Sequence, residues 1–292
     1  MFDFRYHVAS LAAVFVALVI GILVGVGLSG RGFVDNAERT RLNRQIANLE
    51  QDLEAARMVS AAAARREAAM QDFAADTYPA LVPGRLEKRR IVVVYVGSVP
   101  QPVDFSITKA VRDAGGMVVR MRALRVPIDE DLVQREIEKH PALREYSGRE
   151  NVDNLGRELG RELAMGGRTP LWGALTNALV EEREGVSTVR ADAIVVARSA
   201  RPQHGVTSDL LSGLYRGIAR VGVPAVGVEQ TGVETSAVRP FSRGGLSTVD
   251  SIDSAAGRLA LVLLLDGAQP GHYGVEENAS DGVLPPIEPP PG

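Results

Sequence analysis

Apolar residues are concentrated at the start of the chain. Residues 8–28 run for 21 positions without a charge, as VASLAAVFVALVIGILVGVGL. At about 1.5 Å of rise per residue, such a helix spans roughly 30 Å, the thickness of a bilayer's hydrocarbon core. A buried core helix would normally show a polar stripe, and a secretory signal is usually shorter and ends at an A-x-A-like site. The pattern therefore predicts that residues 1–30 form a short head and an uncleaved membrane-spanning helix.

The charges beside this span do not fix its orientation. Arg5 precedes it, whereas Arg31, Arg39, Arg41 and Arg44 follow it. Counting Lys and Arg near the span favours a cytoplasmic C-terminal side. A seven-residue head is nevertheless easily retained inside, and large domains translocate largely regardless of charge. Both orientations remain open on this basis.

Small residues form a row along the same span. Gly21 and Gly25 are four residues apart, and Ser29 continues the row. Such a small-xxx-small face lets two membrane helices approach closely, although glycine is common in membrane helices generally. Gly21 and Gly25 are therefore candidate packing positions in the membrane.

Residues 31–77 are predicted to form one long helix, since positions 35 to 75 contain neither Pro nor Gly. Its apolar residues step by four, three, four and three, which is the spacing of a coiled-coil seam. About two good heptads are present, so an amphipathic helix packed on its own domain is the alternative. The seam is the predicted self-association or partner site and comprises Leu42, Ile46, Leu49, Leu53 and Ala56.

The rest of the chain predicts an α/β domain. Residues 78–90 contain Tyr78-Pro79 and Pro83-Gly84 and are interpreted as a linker. Within residues 91–267, continuous apolar runs predict strands at 91–97, 117–124, 193–197 and 224–228, with helices between them, three of them within 129–184. This alternation is typical of a Rossmann-like parallel sheet with helices on both faces. Residues 268–292 are polar and Pro-rich and are predicted to be a disordered tail.

Composition narrows the chemistry. The 292 residues include no Cys, which excludes disulfides, thiolate catalysis and Cys-based metal sites. The net charge of −3 argues against a nucleic-acid partner. Hydrophobic and charged contents of 45% and 24% are ordinary for a globular chain that also carries one anchor.

Three loops, at residues 97–102, 198–204 and 230–235, would lie at the carboxyl edge of such a sheet, where ligands bind in open α/β folds. Gly97-Ser98 follows a strand as a phosphate loop would, but no G-x-G-x-x-G or G-K-[ST] motif is present. Ser98, His204 and Asp209 could in principle meet there, without a nucleophile elbow to support a hydrolase. Arg198, Arg201 and His204 form a small basic loop that either holds an anion or is simply solvated.

The metal-binding residue types are scattered along the chain. His7, His140, His204 and His272 lie far apart in sequence. Met117 and Met121 have a soft-ligand spacing, but they fall in a predicted strand, where core packing is the simpler interpretation. The sequence therefore predicts no metal site, no cofactor and no catalytic residue, and a protein that is not an enzyme.

The N-terminus resembles a known family. Its opening, MFDFRYHVASLAAVFVALVIGILVGVGL, with Phe-Arg-Tyr-His-x-x-Ser-Leu at residues 4–11, is similar to the actinobacterial MctB family, named for mycobacterial copper transport protein B. The heptads and the VVVYVG strand follow in the family's order, so the resemblance extends to about residue 267. It implies a copper transport or copper homeostasis protein of the cell envelope, anchored in the lipid bilayer with its C-terminal domain outside the cytoplasm.

Two functions remain open at this point. The resemblance implies copper export or resistance, although one span forms no channel unless it oligomerises, and clustered copper ligands are absent from the sequence. The family also includes SteB-like cell-separation proteins, which implies the alternative of a non-enzymatic scaffold. Such a scaffold would bind a SteA-like membrane or divisome partner, as a homo- or hetero-oligomer formed through the coiled coil.

Overall fold

The computed structural model describes residues 4–28, 31–185 and 188–288 of the chain. They divide into two compact units, Met1–Glu67 and Ala68–Gly292. Helix α1 (Phe4–Leu28) and most of helix α2 (Arg31–Leu81) make up the first unit, and the last turns of α2 belong to the second.

Helix α1 is long and apolar enough to cross a membrane. The stretch His7–Gly27 has a mean hydropathy of 2.8, and all of its side chains are exposed. A helix that is apolar on every side needs a surrounding apolar medium, which a bilayer supplies.

Helix α2 continues further than its sequence pattern predicts. It passes through Pro79 to Leu81, whereas the sequence places its end before Tyr78. Tyr78, Val82 and Leu86 are buried at 6%, 0% and 0% exposure. Their packing stabilises the last turn, so residues 78–90 are part of the folded unit and the prediction of a linker there is wrong.

The second unit is built on a seven-stranded sheet in the order β3-β2-β1-β4-β5-β6-β7. Strand β3 is antiparallel to β2, and the other neighbours are parallel. The predicted mixed α/β class and the four predicted strands are confirmed. The strands are β1 (Arg90–Val96), β2 (Met117–Leu124), β3 (Val180–Gly185), β4 (Ala193–Arg198), β5 (Ala225–Val228), β6 (Ser247–Val249) and β7 (His272–Tyr273).

Helices cover both faces of the sheet, which explains why β1 is apolar and buried from Ile91 to Val96. Val92, Val94 and Val96 face one core, and Ile91, Val93 and Tyr95 face the other. Helices α5, α6 and α7 pack on the first face, whereas α3 and α9 pack on the second. The helices are α3 (Gln101–Asp113), α4 (Glu130–Glu138), α5 (Val152–Met165), α6 (Pro170–Leu179), α7 (Gly205–Ala219), α8 (Val238–Arg243) and α9 (Ala255–Asp266), with 3-10 turns at Pro141–Tyr146 and Arg149–Asn151.

Helices α5 and α7 cross in unusually close contact. Each carries a Gly-x-x-x-Gly pair, Gly156 with Gly160 and Gly213 with Gly217. A Cβ atom at any of the four would overlap a backbone carbonyl oxygen of the other helix. Asp153 of α5 also pairs with Arg216 of α7 at one end of the crossing. Only glycine permits backbones to approach this closely.

Three strands were not predicted. Strand β3 reads VEEREG, and its residues after Val180 are exposed. It lies at the edge of the sheet, where charged side chains are tolerated, so it lacks the apolar pattern of a core strand. The prediction that residues 129–184 are helical is therefore wrong for the part that forms β3. Strands β6 and β7 have three and two residues and are too short to give a period.

The C-terminal segment is folded as far as the structure describes it. Strand β7 pairs with β6, and the Asp250 carboxylate accepts hydrogen bonds from the Val275 and Glu276 amides at 2.9 and 3.2 Å. The buried Arg85 guanidinium donates to the Glu288 carbonyl at 2.7 Å. The prediction of a disordered tail is therefore wrong for residues 268–288. Backbone pairing and single polar contacts hold this segment, and composition does not reveal them. The remaining tail, 289–292, lies outside the described residues.

Candidate functional site

The predicted seam of α2 is an exposed apolar face. Leu42, Ile46, Leu49 and Leu53 are 51%, 52%, 67% and 51% exposed. Ala56 is exposed as well. Residues spaced by three and four positions share one side of a helix, so these five form a continuous stripe. Such a stripe is the kind of surface that a partner helix covers.

The glycine pair of α1 also faces open space. A Cβ atom at Gly21 or Gly25 would meet no heavy atom within 4 Å. The third member of the row, Ser29, lies outside the described residues. The α1 surface at Gly21 and Gly25 is thus sterically accessible to another helix.

The crevice between β1 and β4 is the point where the strand order reverses, which is the usual ligand position in such sheets. Here the loop after β1 and the loop after β4 contact each other directly. The Ser199 hydroxyl donates to the Ser98 carbonyl, and the Ser199 and Ala200 amides donate to the Val96 carbonyl at 3.1 and 3.0 Å. A Cβ at Gly97 would stand 2.7 Å from Ser199 Oγ. Gly97 is therefore glycine because the neighbouring loop occupies the space beside it.

The three residues considered for a hydrolase are not assembled. Ser98 is exposed after β1, His204 precedes α7, and Asp209 lies on the exposed side of that helix. Among the described residues, no hydrogen bond joins any two of them.

The predicted basic loop also separates. Arg198 ends β4, is half-buried, and donates through Nη2 to the Thr235 carbonyl. Burial lowers the pKa of Arg198, and nearby Glu229 partly offsets that effect. Arg201 and His204 are exposed. The structure therefore directs Arg198 towards the loop after β5 and leaves the other two residues in solvent.

The histidines lie on four different parts of the fold. His7 is on α1, His140 follows α4, His204 precedes α7 and His272 is on β7. Both ring nitrogens of His272 are engaged, with Ser242 Oγ at 2.8 Å and Thr248 Oγ1 at 3.0 Å. Within the described ranges, no three His, Asp or Glu side chains group as metal ligands.

The methionine pair of β2 differs from the sequence expectation. Met121 is partly buried, but Met117 is 60% exposed at the start of the strand, so core packing was the wrong interpretation for Met117.

Two buried carboxylates at the carboxyl edge were missed from the sequence. Glu229 follows β5 and Asp250 follows β6. The Glu229 carboxylate accepts from the Ser236 hydroxyl at 2.6 Å and from the Ala237 amide. Burial raises the pKa of both carboxyl groups, while these hydrogen bonds act in the opposite direction. Their contacts brace the loops after β5 and β7. For Glu229 the signal available in the sequence was an acidic residue directly after a predicted apolar strand, whereas β6 before Asp250 is too short to give such a signal.

The chain matches the model of a known protein family over most of its length. The model of the MctB family, described as copper transport outer membrane protein, matches residues 1–284. No curated protein matches the chain.

Proposed function

Because the chain belongs to the MctB family of copper transport-related membrane proteins, we propose that it acts in copper homeostasis as a single-pass anchor and association module. In this proposal copper moves through an assembly that the chain organises, and the chain itself carries out no chemical step.

The exposed stripe of α2 is the observation that carries this proposal. Leu49 and Leu53, at 67% and 51% exposure, retain most of their apolar surface for a partner. Burying a Leu side chain fully stabilises an association by about 1.5–3 kcal/mol. In a dimer each seam position buries one side chain from each helix. This apolar burial is enough for two heptads to associate when the anchor also concentrates the chains in a membrane.

The placement of possible copper ligands supports an indirect role. Cu(I) favours thiolate, thioether and imidazole groups brought together at one point. The chain has no Cys, its histidines lie on separate elements, and both nitrogens of His272 are already hydrogen-bonded.

We place the α/β unit outside the cytoplasm in this proposal. The support is the family's description as an outer membrane copper transport protein. An assembly acting on exported copper would need its folded part on that side.

The test is copper tolerance of cells that lack the chain and receive variants of it. Leu49→Asp with Leu53→Asp should abolish both crosslinking in membranes and copper tolerance. Gln51→Asp with Met58→Asp is the matched control, because the heptad places both residues on the opposite side of α2. Met117→Leu with His204→Ala should retain tolerance. Loss of tolerance in that last variant, with the seam variant unaffected, would refute an indirect role.

The same stripe favours a second candidate, a scaffold for a cell-division or wall-remodelling partner. In that case the seam variant would give a cell-separation defect while copper tolerance stays normal. Affinity capture of the full chain from membranes, with the seam variant as the control, would separate the two functions by the identity of the protein that is lost.

A further inference from the structure

A cavity of about 290 Å³ lies beside the carboxyl end of β4. The loop after β4, helix α7 and helix α8 enclose it. Its polar wall is formed by Arg198, Ser208, Ser212, Tyr215, Arg216 and Arg243. Ligands of open α/β sheets bind outside the carboxyl ends of strands. The volume lies just below the usual range for ligand pockets, about 300–1,000 Å³, and suits a small ligand.

The charge of the wall has one sign. Three of the lining residues are arginines, and the lining includes no Asp or Glu. Arg216 is paired with Asp153, which Arg157 shares. The bond described for Arg198 goes to a neutral carbonyl, that of Thr235. Arg243 is exposed at the rim, and no ion pair to it is formed within the described part of the chain.

The buried Glu229 carboxylate acts on Arg198 through its charge, but no hydrogen bond joins the two side chains. Both carboxylate oxygens of Glu229 accept hydrogen bonds elsewhere, from Ser236 and from the Ala237 amide. Among the described residues, the guanidinium groups of Arg198 and Arg243 therefore have no hydrogen-bonded carboxylate partner, and both line the same cavity.

Tyr215 adds a hydroxyl donor to the same wall. Its side chain is 3% exposed, and its ring packs edge-on against Phe241 with the centroids 5.2 Å apart. Its hydroxyl forms no hydrogen bond to a described residue. The hydroxyl keeps some solvent contact, so it can donate to a ligand or to water in the cavity. Ser208 and Ser212, one helical turn apart on α7, place two more hydroxyls at this cavity.

We propose that this cavity binds a small anion through a phosphate group, with Arg198 and Arg243 as the principal cations and Tyr215, Ser208 and Ser212 as neutral donors. Arginine forks match the oxygens of phosphate in paired hydrogen bonds. The mixture of cations and hydroxyl donors suits a tetrahedral group, which presents oxygens in several directions. A planar carboxylate would use fewer of these donors.

The experiment is isothermal titration of the full chain, in mild detergent and 0.15 M salt, with inorganic pyrophosphate as the probe. At that salt concentration, attraction between exposed charges more than about 8 Å apart is largely screened, so contacts within the cavity dominate the signal. We expect saturable binding of one pyrophosphate per chain. Arg243→Gln should weaken it about tenfold or more, which corresponds to one hydrogen bond to a charged group. Arg239→Gln, an exposed arginine of the same helix that does not line the cavity, should leave the affinity unchanged.

A second variant distinguishes loss of binding from misfolding. Tyr215→Phe removes only the hydroxyl and should also weaken pyrophosphate binding while Trp172 fluorescence shows the unit folded. Absence of saturable binding, equal losses from Arg243→Gln and Arg239→Gln, or succinate binding as tightly as pyrophosphate would each overturn the proposal.

Discussion

Replacing glycine by alanine should destabilise the α/β unit at the crossing of α5 and α7 and stabilise it at an exposed position of α6. In Gly160→Ala the added methyl group would overlap the Leu214 carbonyl oxygen and would stand 2.8 Å from the Ile218 amide nitrogen. These are backbone atoms, so no side chain can rotate away and the helices must separate. Gly173, on the exposed side of α6, is the control, because a Cβ there meets nothing within 4 Å.

The magnitudes follow from two opposing terms. Overpacking a fixed core costs about 1–3 kcal/mol, and backbone contacts place Gly160→Ala at the upper end. Replacing a helical glycine by alanine stabilises the helix by about 1 kcal/mol. Gly160→Ala should therefore lower the free energy of unfolding by about 2 kcal/mol, whereas Gly173→Ala should raise it by about 0.5–1 kcal/mol. For a unit of this size the corresponding changes in Tm are about −4 to −8 °C and +1 to +4 °C.

The assay uses the single tryptophan of the chain. Trp172 is 5% exposed, and its indole N–H donates to the Leu159 carbonyl of α5 at 2.9 Å. Its fluorescence therefore reports the helix layer that contains the crossing. Thermal unfolding of the full chain in detergent would give both shifts. If Gly160→Ala and Gly173→Ala change Tm in the same direction, the two helices do not approach as closely as described.

Three further predictions concern the C-terminal segment, the pH dependence and the topology. Asp250→Ala should remove two hydrogen bonds, and amide exchange at Val275 and Glu276 should accelerate while the rest of the sheet stays protected. Burial raises the pKa of Glu162, so the folded chain keeps a proton that the unfolded chain loses above a pH of about 4.3. The free energy of unfolding should therefore fall as pH rises from that value to the raised pKa. When it is measured by urea unfolding at several pH values, Glu162→Gln should show a weaker dependence on pH. A phosphatase fused after Gly292 should be active and a cytoplasm-dependent reporter there silent; the reverse result would place the α/β unit inside.

The sequence predicted the parts of the fold that depend on continuous burial. Strand β1 is apolar at six consecutive positions because both of its faces are covered, and this is visible without any structure. Strand β3 is invisible for the opposite reason, since its charged side chains are exposed and its contribution is backbone pairing with β2.

The candidate sites were predicted less completely. The seam from Leu42 to Ala56 has a periodic signal, and its exposure agrees with the expected surface, although its association remains a prediction. The arginine-lined cavity combines residues of β4, α7 and α8, and only Arg198 was singled out from the sequence. Arg243 and Tyr215 reach it through the packing of α7 against α8, which no local pattern encodes.

The same glycine spacing occurs in two settings, and the comparison shows what spacing alone can establish. On α5 and α7 the pairs Gly156–Gly160 and Gly213–Gly217 meet each other, so both halves of a close crossing are supplied by one chain. On α1 the pair Gly21–Gly25 has open space at the positions where a Cβ would stand. The physical requirement, close approach of two backbones, is the same. In the α/β unit the chain satisfies it internally, whereas α1 would satisfy it with a helix of another molecule in the membrane. Large substitutions at Gly21 and Gly25 should therefore leave the Tm of the α/β unit unchanged and affect only association.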